Sequence, residues 1–204
     1  MENPIRRLYR DQKKTLDLIR RGGPVSGFEP TVRRLFGDKP NRGKTVRIGN
    51  REFKYAGNAK NLVSFLPARW AEELAAREGT WLGCENWWAG YPLIVLMEMR
   101  VGDDGVAGFL RLSAEVGPVL DREARKGIIE VIRSAAAAKG VERIQFQADA
   151  FDERRFYSRF LRNNSIALND TRDVNELERK FVELVASFEP EFELVASLVP
   201  LLPR

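Results

Sequence analysis

The chain of 204 residues contains no histidine and a single cysteine, Cys84. Without histidine, the Ser-His-Asp and Cys-His catalytic arrangements, an imidazole general base and nearly every kind of zinc site are excluded. One cysteine allows neither an internal disulfide nor a thiolate metal cluster. Any metal would therefore be a hard cation held by carboxylates, with Mg²⁺ as the first choice.

Long hydrophobic runs are also missing. The longest, at residues 93–97, is far too short to span a bilayer. The first seven residues contain no apolar stretch of the kind that a signal peptide needs. With 44% hydrophobic and 31% charged residues, the composition is that of a folded globular protein. We therefore expect a cytoplasmic protein, prokaryotic in style, with no membrane partner.

The charge is distributed unevenly along the chain. Residues 1–60 contain sixteen Lys and Arg against six Asp and Glu, a net of +10. Residues 61–204 contain eighteen against twenty-three, a net of −5, so the two parts sum to the overall +5. A basic segment joined to a mildly acidic body favours a polyanionic partner, because Lys and Arg supply the sequence-independent part of nucleic-acid affinity. We place a boundary near residue 60, between a basic helical and hairpin segment (1–60) and a body (61–204).

The basic segment contains sequence patterns that predict two helices and a β-hairpin. Asn3 and Pro4 suit the start of a first helix, which Gly22-Gly23 ends. A capping-box pattern from Ser26 to Glu29 predicts a second, short helix that Gly37 ends. Residues 45–48 and 51–55, on either side of Gly49-Asn50, predict a β-hairpin.

The body predicts an α+β fold, with a mainly antiparallel sheet packed by helices. The predicted strands are 92–101, which is apolar on both faces as buried strands are, then 106–116 and 142–148, both of which alternate apolar and polar residues. Residues 62–66 look extended. The predicted helices are 68–77, 120–139, 151–162 and 174–188, with a last helical piece that ends near Pro200.

Basic side chains in the first segment are the candidate nucleic-acid contacts. They are Arg6, Arg7, Arg10, Lys13, Lys14, Arg33, Arg34, Lys39, Arg42 and Lys44, with Lys54 beside them. The alternatives are a solvated helix face, or a basic patch that docks on the acidic body or on an acidic protein.

A second candidate is a metal-dependent nuclease site. Glu52 and Lys54 are two positions apart on a predicted strand and so share a face. With the upstream Asp38, they would form two carboxylates for Mg²⁺ and a lysine that orients or activates the attacking water. Glu-x-Lys is common by chance in basic proteins, and Asp38 lies in a predicted loop, so we expect no cleavage and no cofactor unless this alternative holds.

An aromatic segment at residues 81–91 contains Trp81, Trp87, Trp88 and Tyr91. Exposed rings could stack on bases or anchor a partner. We favour the alternative that they fill irregular core at one end of the sheet. Cys84 lies in this segment without a basic sequence neighbour to lower its pKa, so we do not expect a reactive thiol.

Residues from about 60 to 190 resemble the C-terminal region of bacterial proteins of the PD-(D/E)XK nuclease superfamily. The similarity rests on residues 65–70 (FLPARW), on 81–88 leading into a strand at 93–101, on the paired strand and long helix that follow, and on 155–160 (RFYSRF). The resemblance implies Mg²⁺-dependent DNA cleavage in restriction, repair or phage defence. The family's catalytic residues lie on buried upstream strands, whereas Asp38, Glu52 and Lys54 belong to a loop and a short polar hairpin.

We therefore expect a nucleic-acid-associated protein without catalysis, a binding or recognition subunit of a bacterial DNA-processing or phage-defence system, with DNA favoured over RNA. Two alternatives stay open. One is a PD-(D/E)XK-type nuclease that uses Mg²⁺, and the other is an interaction module or inhibitor that binds an acidic protein.

Overall fold

The computed structural model describes residues 26–38, 40–77 and 81–203. Within these ranges the chain forms seven β-strands in one antiparallel sheet and five α-helices, which confirms the predicted α+β fold. The strands are β1 (Thr45–Ile48), β2 (Arg51–Ala59), β3 (Leu62–Pro67), β4 (Leu93–Val101), β5 (Gly108–Val116), β6 (Ser158–Arg159) and β7 (Ser165–Leu168). The helices are α1 (Phe28–Phe36), α2 (Ala68–Ala76), α3 (Arg122–Ala138), α4 (Val174–Ser187) and α5 (Glu189–Leu198).

From β1 to β6, strands that are consecutive in the chain are neighbours in the sheet. The order is β1-β2-β3-β4-β5-β6, and β7 also pairs with β5. The predicted hairpin is confirmed: Ile48 pairs with Arg51, and Gly49 has the positive φ of 60° that this tight turn requires. The boundary predicted near residue 60 falls in the turn between β2 and β3, which are hydrogen-bonded neighbours. The hairpin is therefore continuous with the sheet of the body.

One face of the sheet is covered by helices. The register places Tyr55, Phe65 and Val95 on this face. The ring of Phe36 from α1 lies 5.5 Å from that of Tyr55 and 5.7 Å from that of Phe65. Phe181 from α4 reaches the same Phe65 ring at 5.9 Å. The helix α1 is thus part of the main hydrophobic core.

The opposite face is mixed in character, as antiparallel sheets allow. Ser64, Leu96 and Ser113 follow one another across β3, β4 and β5. The aromatic segment packs on this face: a Cβ added at Gly57, the partner of Ser64, would lie 3.3 Å from the Trp88 ring. A Cβ added at Gly117 would overlap the Trp87 ring, so a larger residue there would have to displace that ring.

The strand predicted at 92–101 is confirmed as a central strand of the sheet. β4 lies between β3 and β5, and its first five residues, 93–97, are all at most 3% exposed. Helices predicted at 68–77, 120–139 and 174–188 are also confirmed, with small changes at their ends. The helix predicted before Gly22-Gly23 lies outside the described residues. In the described part of the chain, no helix is both long enough and apolar enough to cross a membrane.

Two predicted elements are wrong. Residues 142–148 do not form a strand: only Ile144 makes an isolated bridge, to Leu161, and a short 3-10 helix begins at Ala148. Residues 151–162 are not an α-helix, because they contain the 3-10 helix end at Phe151 and then the strand β6. The physical reason is that β5 has one free edge with which a further strand could pair. The strands β6 and β7 form their hydrogen bonds with that edge, so residues 142–148 cannot pair with it.

Candidate nucleic-acid interface

The predicted basic contacts divide into three groups. Arg6, Arg7, Arg10, Lys13, Lys14 and Lys39 lie outside the described residues. Arg33 and Arg34 are exposed on α1, but both have acceptors within the protein. Arg33 donates to Glu29 at 2.6 Å, and Arg34 donates to Asn175 at 2.8 Å and to Glu178 at 3.3 Å. The predicted capping box does not form, because the Glu29 carboxylate pairs with Arg33. The hydroxyl oxygen of Ser26 instead accepts a hydrogen bond from the backbone N–H of Phe28.

Arg42 and Lys44 form the third group, in the loop that leads into β1. Lys44 Nζ donates to the carbonyl of Phe36 at the end of α1, at 3.2 Å. Arg42 Nε donates to the carbonyl of Ala56 on β2, at 3.3 Å. Both partners are neutral carbonyl oxygens. No carboxylate therefore neutralises the charge of Arg42 or Lys44 through these hydrogen bonds, whereas Arg33 and Arg34 of α1 each pair with a glutamate.

The candidate nuclease residues are not brought to one cavity. Glu52 and Lys54 share a face of β2, as predicted, and each has a partner on β1. Arg47 donates to Glu52 at 3.4 Å, and Lys54 Nζ donates to Thr45 Oγ1 at 2.7 Å. Asp38 is exposed in the turn after α1. Among the described residues, no group of three or more Asp, Glu or Cys side chains is arranged to hold a metal.

Glu52 instead lines an acidic cavity of about 530 Å³ between the hairpin turn, α2 and α5. Its carboxylates are Glu52, Glu72, Glu189 and Glu193, against the two cations Arg51 and Arg69. Both cations are paired there, since Arg51 and Arg69 each donate to Glu193 at 2.6 Å. The hydrogen bond from Arg51 is the main reason why the pKa of Glu193 is lowered. An acidic cavity with paired arginines repels a phosphate backbone.

Lys54 lines a different cavity, of about 370 Å³, which we call the Tyr91 groove. It lies between the loop before β1, the strand β2 and the helix α2, and the end of the aromatic segment closes it. Its apolar lining consists of Leu66, Ala71, Ala75 and Ala89. Arg42 and Lys54 supply two cations, Tyr91 supplies a half-buried ring, and Glu72 is the one carboxylate of the lining.

Backbone hydrogen bonds hold Arg42 at the groove. The N–H of Gly43 donates to the carbonyl of Tyr55 at 2.7 Å, and the N–H of Tyr55 donates to the carbonyl of Lys44 at 2.9 Å. Gly43 has a φ of 83°, which favours glycine at this turn. Burial raises the pKa of the Tyr55 hydroxyl, and the nearby guanidinium of Arg42 opposes that rise. The cation of Arg42 thus lies beside β2 and is positioned by the loop.

A second polar cluster lies on the same face of the sheet, at the other edge. Glu115 and Arg159 are cross-strand partners, and Arg159 Nε donates to Glu115 Oε2 at 3.0 Å. Glu115 is buried, and this burial raises its pKa, although Arg159 and Arg125 oppose the rise. Together with Asp149 and Arg155, which are themselves paired, the cluster lines a cavity of about 230 Å³. Acids and bases are balanced there, so this cavity has no strong preference for anions.

Sequence reasoning identified Arg42 and Lys54 but missed the groove. Tyr91 was assigned to core filling, and nothing in the local pattern shows that Ala71 and Ala75 of α2 face Lys54. The buried Arg125 was missed as well, although a signal exists. It lies three and four positions before Ile128 and Ile129, on the stripe of α3 that is buried.

Comparisons of the chain with protein-family models, with curated proteins and with solved structures found no match. The resemblance to the PD-(D/E)XK superfamily therefore stays a hypothesis.

Proposed function

We propose that this protein binds nucleic acid without cleaving it, through the basic segment 1–60 and the groove that the segment helps to form. DNA is the favoured partner, and the assignment to a bacterial DNA-processing or phage-defence system rests on the resemblance alone. The observation that carries the proposal is the charge difference between residues 1–60, with a net of +10, and residues 61–204, with a net of −5. Such a concentration of Lys and Arg attracts phosphates independently of sequence.

The described structure supports this proposal at Arg42 and Lys54. Across the described residues, most arginines have carboxylate partners, as Arg33, Arg51, Arg69 and Arg159 do. Arg42 and Lys54 donate only to a carbonyl and a hydroxyl. A phosphate oxygen is a stronger acceptor for either cation than these neutral oxygens, because the hydrogen bond then joins two charged groups.

Fluorescence anisotropy with a labelled DNA duplex tests the proposal. Phe28, Val32 and Phe36 of α1 are each at most 4% exposed, so the test deletion must end before Ser26 and leave the core intact. Residues 1–25 contain seven Lys and Arg against three Asp and Glu. Their deletion should lower the affinity, and it should lower the slope of log affinity against log salt by about 0.9 for each phosphate that the shortened chain no longer neutralises.

The double variant Arg133→Ala, Lys139→Ala is the matched control, because it removes positive charge from exposed positions of the body. It should leave the affinity nearly unchanged. A truncated chain that binds the duplex as tightly as the full chain would show that residues 1–25 do not bind DNA. If Arg42→Ala, Lys54→Ala in that truncated chain also leaves duplex binding unchanged, the basic segment as a whole is not the DNA-binding surface. If an acidic protein is the true partner, plain duplex DNA will fail to displace it.

A further inference from the structure

The Tyr91 groove has the chemistry of a site for one unpaired nucleotide. Its lining combines four aliphatic side chains and two tyrosines, Tyr55 and Tyr91, with two cations that lie on β2 and on the loop before β1. Its volume of about 370 Å³ is near the lower end of the range for small-ligand pockets, roughly 300 to 1,000 Å³. A flat, largely apolar ligand that carries a negative charge matches this combination.

We propose that the groove holds an unpaired nucleotide of a single strand, with the base against Tyr91 and the phosphate on Arg42 and Lys54. This inference rests on the proposed function and adds to it a preference for single strands. In a duplex the base faces are stacked on one another, so they are not available to an aromatic side chain. In a single strand the base can turn outward and stack on the protein.

The cations are placed for a phosphate. Lys54 Nζ is held by the hydroxyl of Thr45 at 2.7 Å, and Arg42 uses only Nε to reach Ala56 at 3.3 Å. Both ammonium and guanidinium groups have several donors, so each can keep its present bond and still donate to a phosphate oxygen. The backbone bonds of Gly43 and Tyr55 fix the loop beforehand, which reduces the entropy cost of binding.

The neighbouring acidic cavity differs from the Tyr91 groove in its charge. The acidic cavity shares Glu72 with the groove, but it has four carboxylates and its arginines are paired. A backbone that follows the cationic hairpin is therefore steered toward Arg42 and Lys54 and away from Glu189 and Glu193. Glu72 is exposed and lines both cavities, and its carboxylate can accept a hydrogen bond from an exocyclic amino group of a base.

The test compares a labelled single-stranded oligonucleotide with a duplex of the same length. The wild-type chain should bind the single strand more tightly. Tyr91→Ala should weaken single-strand binding by about 5- to 100-fold, as is typical when one base-stacking aromatic is removed, and should leave duplex binding unchanged. Tyr91→Phe keeps the ring and should bind as the wild type does, which shows that the weaker binding of Tyr91→Ala comes from stacking.

Charge is tested separately. The double variant Arg42→Ala, Lys54→Ala should weaken single-strand binding by about 10-fold or more. Arg47→Ala is the matched control, since Arg47 is an exposed cation of the same hairpin that does not line the groove. A photo-crosslinking oligonucleotide, mapped by mass spectrometry, should label the 89–91 segment of the wild-type chain.

The outcomes separate the two proposals. If single strand and duplex bind equally, or if Tyr91→Ala weakens both by the same factor, the groove is not a nucleotide site and general nucleic-acid binding survives. If neither probe binds, both proposals fail. Thermal melting of each variant, followed by circular dichroism, confirms that a loss of binding is not a loss of folding.

Discussion

Arg125 Nη2 donates a hydrogen bond of 2.7 Å to the hydroxyl of Ser158, and this bond joins the start of α3 to the short strand β6. The same guanidinium donates to the carbonyls of Gly117, Ala150 and Phe156 at 3.0 to 3.3 Å. One buried side chain therefore satisfies four oxygens from three separate stretches of the chain. It stabilises the part of the fold that the sequence pattern described least well.

Replacing Arg125 with methionine should be strongly destabilising. The variant leaves the carbonyls of Gly117 and Ala150 buried without this donor, and it removes a positive charge that faces Glu115. We expect a loss of about 3 to 5 kcal/mol in the free energy of unfolding, measured with urea. Lys126→Met, at the next position, is the control and should change it little. A loss below about 1 kcal/mol for Arg125→Met would contradict this account.

Val95→Asp should abolish cooperative folding. Val95 is 0% exposed in the central strand, between Phe65 of β3 and Ala114 of β5. A buried carboxylate without a partner costs several kcal/mol, which is a large part of the stability of a domain. The matched control is Val101→Asp in the same strand, since Val101 is 44% exposed. A soluble Val95→Asp variant with a sharp thermal transition would show that the strand is not enclosed.

Glu115 should make stability depend on pH in an unusual direction for a carboxyl. Burial raises its pKa in the folded state, so the folded state binds this proton more tightly than the unfolded state does. Its contribution is fully present below the unfolded carboxyl pKa, and it is lost as pH rises through the folded pKa. The free energy of unfolding of the wild type, minus that of Glu115→Gln, should therefore fall as pH rises from mildly acidic to neutral. A difference that rises with pH would mean that the ion pair with Arg159 outweighs burial.

Cys84 should be unreactive in the folded protein. Its thiol is 0% exposed, and burial, with a smaller effect of Glu85, raises its pKa to about 12. A thiol-specific disulfide reagent at mildly alkaline pH should label the chain only after denaturation, because the thiolate is the reactive form. Stability due to the protonated thiol should decline between the unfolded pKa of about 8.5 and the folded one. Cys84→Ala should lack this decline, and rapid labelling of the native chain would contradict the prediction.

No metal-dependent cleavage of DNA or RNA is expected. Glu52 and Lys54 line different cavities, and Asp38 lines neither of them. Mg²⁺ needs near-octahedral oxygen ligands, which this arrangement does not supply. The measurement is incubation of plasmid DNA and of RNA with the purified chain in the presence of Mg²⁺ or Mn²⁺. Cleavage that disappears in Glu52→Ala or Lys54→Ala would make the nuclease alternative the leading one.

The sequence by itself determined the parts of the fold that depend on local pattern. The continuous apolar run at 93–97 indicated a central strand, and Gly49-Asn50 indicated the hairpin. The helices with a clear periodicity were also found. In these segments the side-chain period and the turn residues favour the same structure, so no long-range contact has to decide between alternatives.

Only the tertiary structure decided which segments pair at the edge of the sheet and which side chains lie together at the candidate site. Residues 142–148 alternate like a strand, but β6 and β7 occupy the edge of β5, and an edge has only one set of hydrogen-bonding groups. The candidate site also depends on contacts between distant segments. The sequence indicated that Arg42 and Lys54 are basic, but only the packing of α2 and the aromatic segment against β2 and β3 placed Tyr91 and an apolar surface beside them. A charge can be counted along a chain, whereas a groove exists only where distant segments meet.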